Sequence, residues 1–153
     1  MDATDRTDRT DKNLDAALAH TVSEITRTDT KAGLILTLDG LLVAALSFLG
    51  TELDGAALVA ALIGAAALIG SVVLAVLVIK PRLTGGGLVD KGSFIFYADA
   101  SDEAIDASLT EDLRRTRVRV LSRIALRKMR SLHYASYASI AAVVAIAAAI
   151  LTR

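Results

Sequence analysis

Two groups of residues have types and spacings that could do chemistry. Arg115, Arg119, Arg123, Arg127 and Arg130 follow one another at intervals of 4, 4, 4 and 3, which on an α-helix lines five guanidinium groups along one side. Guanidinium forks match phosphate oxygens and a lysine adds a point charge, so Arg119, Arg123, Arg127, Lys128 and Arg130 are candidates to hold a phosphate-bearing ligand. A second use of the row is also open: solvated charge beside acidic lipid headgroups, worth ~1 kcal/mol per residue near a membrane surface. Nucleic acid fits poorly with a face committed to a membrane. The other group is a single residue. Asp39 is an acid inside an otherwise apolar stretch, where it either joins helices as polar glue, neutralised by a proton or a hydrogen bond, or lines a water path for ions.

Catalytic patterns are missing. There is no phosphate-binding Gly-x4-Gly-Lys-Ser/Thr, no Gly-x-Ser-x-Gly and no His-Glu-x-x-His, and His20 and His133 lie far apart without acid or nucleophile neighbours. Gly85, Gly86 and Gly87 lack the lysine of a phosphate loop and read as a hinge. Cysteine is absent, which removes disulfides and thiolate metal sites. The reading is therefore a non-enzyme with no metal site. The 17 basic and 17 acidic residues cancel, so only local charge clusters can attract a partner.

The elements that must position these residues are set by three apolar blocks, about 32–49, 55–79 and 134–151. About 20 helical residues cross a ~30 Å hydrocarbon core. Insertion terms of roughly −0.3 to −0.6 kcal/mol per Leu, Ile, Val or Phe make the second block secure, while a central ionised Asp39 returns about +2.5 to +3.5 kcal/mol to the first. The third block is mostly Ala and Ser and must be held by packing. Small residues four apart, Ala56-Ala60-Gly64, Ala66-Gly70 and Ala141-Ala145-Ala149, permit close helix approach and make a homo-oligomer plausible. Lys31 precedes the first block and Lys80 and Arg82 follow the second, whereas the turn between them carries Glu52 and Asp54 and no base. The positive-inside rule then places the N-terminus and residues 80–133 in the cytoplasm and the C-terminus outside.

Between and before the blocks the chain divides further. Residues 1–12 repeat Thr-Asp-Arg/Lys with nothing apolar to bury and are expected to be a disordered polar tail. Residues 13–153 then form a single membrane domain. Leu14, Leu18, Thr21 and Ile25 share a face that runs without Gly or Pro into the first block, predicting one long helix. The run from Ser93 to Tyr97 reads as a short strand or an interfacial anchor, and Ser101-Asp102-Glu103 as a helix cap with acids in the first turn. Val118, Leu121, Ala125, Met129 and Leu132 give the basic helix an apolar face, and it leads directly into the third block. The fold class is all-α: three transmembrane helices, long cytosolic helical extensions and a small cytosolic insert between the second and third spans.

Three stretches carry a resemblance. Thr28-Asp29-Thr30-Lys31-Ala32-Gly33 and the residues that follow it to Leu42, then Phe94 to Ala100, then Leu121 to Arg130 ahead of the last span, resemble in order the transmembrane domain of Pycsar effectors. The resemblance marks Asp29 and Lys31 as a motif at the membrane interface. It implies a membrane-bound effector of bacterial antiphage defence in the inner membrane, answering a cyclic pyrimidine nucleotide made by a separate cyclase and impairing the membrane of the infected cell. No cofactor is implied beyond that nucleotide as activating ligand, and the partners implied are the lipid bilayer and the cyclase through its product. Asp39 stands where relatives often carry Asn. With 153 residues there is no room for a separate nucleotide-binding domain, so sensing falls to residues 80–133 or to a partner. A structural or adaptor membrane protein of a transfer or secretion apparatus is the alternative.

Overall fold

The computed structural model describes residues 3–50, 52–80 and 90–153, with side chains from residue 7 onward. The hinge glycines 85–87 lie outside the described residues. Every regular element described is a helix: α1 (Ala3–Ser47), α2 (Gly55–Ile79), α3 (Phe94–Asp99), α4 (Asp102–Thr110) and α5 (Arg114–Leu151). Three of them, α1, α2 and α5, are long and apolar enough to cross a membrane. The chain forms two compact units, residues 1–26 with 81–127 and residues 27–80 with 128–153.

In the second unit the seam positions of all three helices, buried on α2 and α5 and buried or half-buried on α1, recur at alternating steps of three and four. On α1 they are Thr28, Ala32, Ile35, Asp39, Leu42, Leu46 and, just past its end, Leu49; on α2 Ala57, Ala61, Gly64, Leu68, Ser71, Ala75 and Val78; on α5 Lys128, Leu132, Ala135, Ser139, Ala142, Ile146 and Ala149. A repeat averaging 3.5 residues is that of a left-handed supercoil. At one end Ala32, Val78 and Leu132 pack together, and at the other Leu49, Ala61 and Ala149, so α2 runs antiparallel to α1 and α5. Gly50 (φ 75°) and Gly55 (φ 48°) take the left-handed backbone that ends α1 and starts α2. Of the small residues four apart, Gly64 and Ala149 enter the seam, while Ala56, Ala66 and Ala141 are exposed. A seam alternates steps of four and three, so consecutive steps of four rotate off it.

Polarity in this unit is inverted. Asp39 and Ser71 are wholly buried and Ser139 nearly so, while Leu34 and Leu41 are each 66% exposed and Phe48 86%. Water would drive that arrangement apart, whereas a hydrocarbon surround favours it.

The first unit is built from local caps and ion pairs. α1 is helical from Ala3, and the Arg114 guanidinium bonds two of its carboxylates, Asp11 at 2.8 Å and Asp15 at 3.3 Å. Residues 94–99 are a helical turn and a half, not a strand, because Ser93 caps it: its hydroxyl accepts from Phe96 N–H at 3.3 Å and donates to the Asp90 carbonyl at 2.7 Å. Ser101 caps α4 as its sequence predicts. α1 and α5 are each assigned as one helix, Ala3–Ser47 and Arg114–Leu151.

Candidate functional site

The basic row lies on α5, whose start is fixed by Asp112. Its carboxylate accepts the Arg114 backbone N–H at 3.1 Å and the Arg114 Nε at 2.9 Å. Those two bonds from Arg114, the side-chain one first, hold the Asp112 carboxyl below the usual carboxylate range. Beyond this start, Val120, Ile124 and Lys128 take inward positions, and Arg115, Arg119, Arg123, Arg127 and Arg130 are exposed. Among the described residues none of these five arginines makes an ion pair. Arg119, Arg123 and Arg127 belong to the first unit and Arg130 to the second.

Lys128 is not part of the row. It occupies a seam position of the second unit, its side chain 8% exposed, and Nζ donates to Asp29 Oδ1 at 2.5 Å. Of the two interface residues picked out in the sequence, Asp29 therefore binds Lys128, and Lys31 is exposed. A buried ammonium is tolerated because a carboxylate meets it.

Asp39 sits at the middle of the same seam. Ser71 Oγ on α2 donates to Asp39 Oδ2 at 2.7 Å, and Ser139 Oγ on α5 donates to Oδ1 at 2.6 Å. The two hydroxyls lie 2.8 Å apart, and Ser71 Oγ is also 3.2 Å from the Ala135 carbonyl. One polar group from each helix thus meets in one node, and no buried side-chain oxygen or nitrogen among the described residues lacks a partner. Asp39 is thereby hydrogen-bonded to both other helices. Neither serine was singled out in the sequence, although Ser71 is the only hydroxyl residue of α2 and so carried a readable signal.

The family described as the Pycsar effector protein domain matches residues 13–153. Neither a curated protein nor a solved structure matches the chain.

Proposed function

Because the chain belongs to the Pycsar effector domain family, a cyclic-nucleotide-linked branch of antiphage defence, we propose that it sits in the bacterial inner membrane, is switched by a cyclic pyrimidine nucleotide, and then impairs that membrane. In this reading the N-terminus and residues 80–133 face the cytoplasm, and a separate cyclase supplies the ligand. The observation that carries it is the exposed set Arg119, Arg123 and Arg127, which makes no ion pair among the described residues, on the same helix that supplies Ser139 to the Asp39 node. The nucleotide phosphodiester would engage those guanidinium groups, and α5, which continues to Leu151, would carry the response to the third span. Two or three charge-assisted hydrogen bonds at ~1.5–3 kcal/mol each are comparable with the ~5.5 kcal/mol that inverts a two-state population from 1:99 to 99:1. Lys128, held by Asp29, takes no part.

The active form in this reading is a homo-oligomer. Gly33, Thr37, Gly40, Ala44 and Ser47 recur at steps of three and four off the seam of α1. Thr37 and Ser47 return their hydroxyls to the Gly33 and Val43 carbonyls, so the face presents no unsatisfied donor to a second copy.

The test is induced expression with and without cyclic UMP or cyclic CMP, scored by membrane depolarisation. The reading expects depolarisation only with nucleotide, lost in Arg119→Glu/Arg123→Glu at unchanged membrane insertion. Equal polarisation with and without either nucleotide would remove it.

A further inference from the structure

The side of α5 that faces away from the seam of the second unit is graded in polarity. Seam positions on α5 are buried, and a residue two positions beyond one of them lies about 200° around the helix. Arg130, Tyr134, Tyr137, Ala141 and Val144 stand in that relation to the seam, and all five are exposed, Tyr134 by 62% and Tyr137 by 60%. His133 lies beside this line, its ring centroid 4.7 Å from that of Tyr137 and perpendicular to it, and 5.8 Å from that of Tyr134. Along the strip a cation is followed by an aromatic cluster and then by aliphatic residues.

Cations collect at the same end of the unit. Ala32, Val78 and Leu132 pack together, and just outside that level Lys31 on α1, Lys80 on α2 and Arg130 on α5 are exposed. None of the three makes an ion pair among the described residues. Asp29, the acid of the second unit at that end, is taken by Lys128, and α5 contains no acid from Arg114 to Leu151. Glu52 and Asp54 lie in the turn at the opposite end. An anion is therefore the electrostatic complement of the end that carries Arg130.

We propose that this strip is a docking site for an acidic glycerophospholipid, with the headgroup phosphate on Arg130, the glycerol beside His133, Tyr134 and Tyr137, and an acyl chain along Ala141 and Val144. The proposal rests on the reading that the three apolar helices cross a membrane. Charge, aromatic cluster and aliphatic run follow one another as phosphate, ester and acyl chain do in the lipid. From Arg130 to Tyr137 the helix rises about 10 Å, which carries the strip through a headgroup layer of about 5–8 Å on each side of the hydrocarbon core. A guanidinium fork takes two phosphate oxygens, and tyrosine rings, apolar with a polar tip, favour that layer. The ring contacts hold His133 and Tyr137 in one arrangement before a lipid arrives, so less side-chain freedom is lost on binding. A cyclic nucleotide shares the phosphate but has nothing to lay along Ala141 and Val144. Arg130 thus has a different ligand from Arg119, Arg123 and Arg127, which belong to the first unit.

The test is native mass spectrometry of the full chain released from detergent micelles doped with equal amounts of phosphatidylglycerol and phosphatidylcholine, with and without cyclic UMP or cyclic CMP. The expected result is a phosphatidylglycerol adduct per chain that exceeds the phosphatidylcholine adduct and is the same with and without nucleotide. Arg130→Gln should weaken it about fivefold, the equivalent of the ~1 kcal/mol that a basic residue contributes beside acidic lipid. His133→Ala/Tyr137→Leu should weaken it as well, and Arg119→Gln/Arg123→Gln should not. These side chains are exposed, so helix content by circular dichroism should stay at the wild-type value; if a variant misfolds, the wild-type preference between the two lipids still decides. Equal retention of the two lipids, a full adduct on Arg130→Gln, or an adduct displaced by either nucleotide would each overturn the proposal. So would a dimer lost in Tyr137→Leu without any lipid preference, which would give the strip to a second copy of the chain. A chain soluble without detergent would overturn the membrane reading along with the proposal, whereas the other outcomes overturn the lipid site alone.

Discussion

Lys128 Nζ on α5 and Asp29 Oδ1 on α1 lie 2.5 Å apart, with the lysine side chain 8% exposed and the aspartate 37%. The pair engages Lys128, a candidate phosphate ligand beside the basic row, and it ties two of the three long apolar helices at one level of the seam. Removing one partner of a buried ion pair typically costs about 3–5 kcal/mol. Partial solvation of Asp29 lowers the expectation for Asp29→Ala to about 2–3 kcal/mol. The change leaves an uncompensated ammonium in the seam, whereas Asp29→Ala/Lys128→Met should recover most of the loss. Thermal unfolding in detergent checks the order, and a double variant no more stable than the single one would contradict it.

At Gly64, α2 packs directly against α5. A Cβ there would lie 3.0 Å from Ile146 Cγ1 and 3.4 Å from Ala145 Cβ, while Gly70 has open space. Gly64→Ala should therefore destabilise the bundle by ~1–3 kcal/mol. Gly70→Ala should be neutral or stabilising by up to about 1 kcal/mol through helix propensity. Adding Ile146→Ala to Gly64→Ala should return part of the loss, as read by the unfolding midpoint in detergent.

The long features were legible because each rested on an additive signal. Block length gave three spans, and the unbroken helical pattern gave α1 and α5 as continuous rods. What was hidden depends on where one helix meets another. Asp39 stood out as an acid in an apolar run, and Ser71 could have as the one hydroxyl residue of α2, but Ser139 is one serine among several on α5 until a 3.5-residue seam brings it to their level. Lys128 looked like a member of the basic row because it follows Arg127, yet one residue is 100° of helix, enough to turn it inward. The Ser93 cap overrode the aromatic strand signal of residues 93–97. A fixed hydrogen bond at the first turn outweighs a weak β preference over so few residues.

Acid should loosen the start of α5 from a specific direction. Asp112 is held below its ordinary range chiefly by the Arg114 side chain, so its stabilising contribution is fully present above the ordinary carboxylate value of about 3.9 and is lost as pH falls through the lower folded one. Hydrogen exchange of amides near residues 114–118 should be unchanged by this group between about pH 7 and pH 5, apart from the intrinsic pH dependence, and lose protection below about pH 4. Arg114→Ala should show the lost protection already at neutral pH, there and around residues 11–15, where Arg114 bonds Asp11 and Asp15. Protection that vanishes between pH 7 and pH 5 in the parent chain would assign the start of α5 to another group.

The basic row should tolerate charge reversal structurally. Arg119 and Arg123 are exposed and make no ion pair among the described residues, so Arg119→Glu and Arg123→Glu should each change stability by no more than about 0.5 kcal/mol. A larger loss in the detergent unfolding midpoint would show that these arginines hold the fold.

Dye-loaded liposomes containing only the purified chain provide the most direct measurement. With cyclic UMP or cyclic CMP added, the wild-type protein is predicted to release the dye, and Arg119→Glu/Arg123→Glu is predicted to retain it. Dye held equally well by the wild type with and without nucleotide would contradict a membrane effector that senses its ligand through its own arginine row.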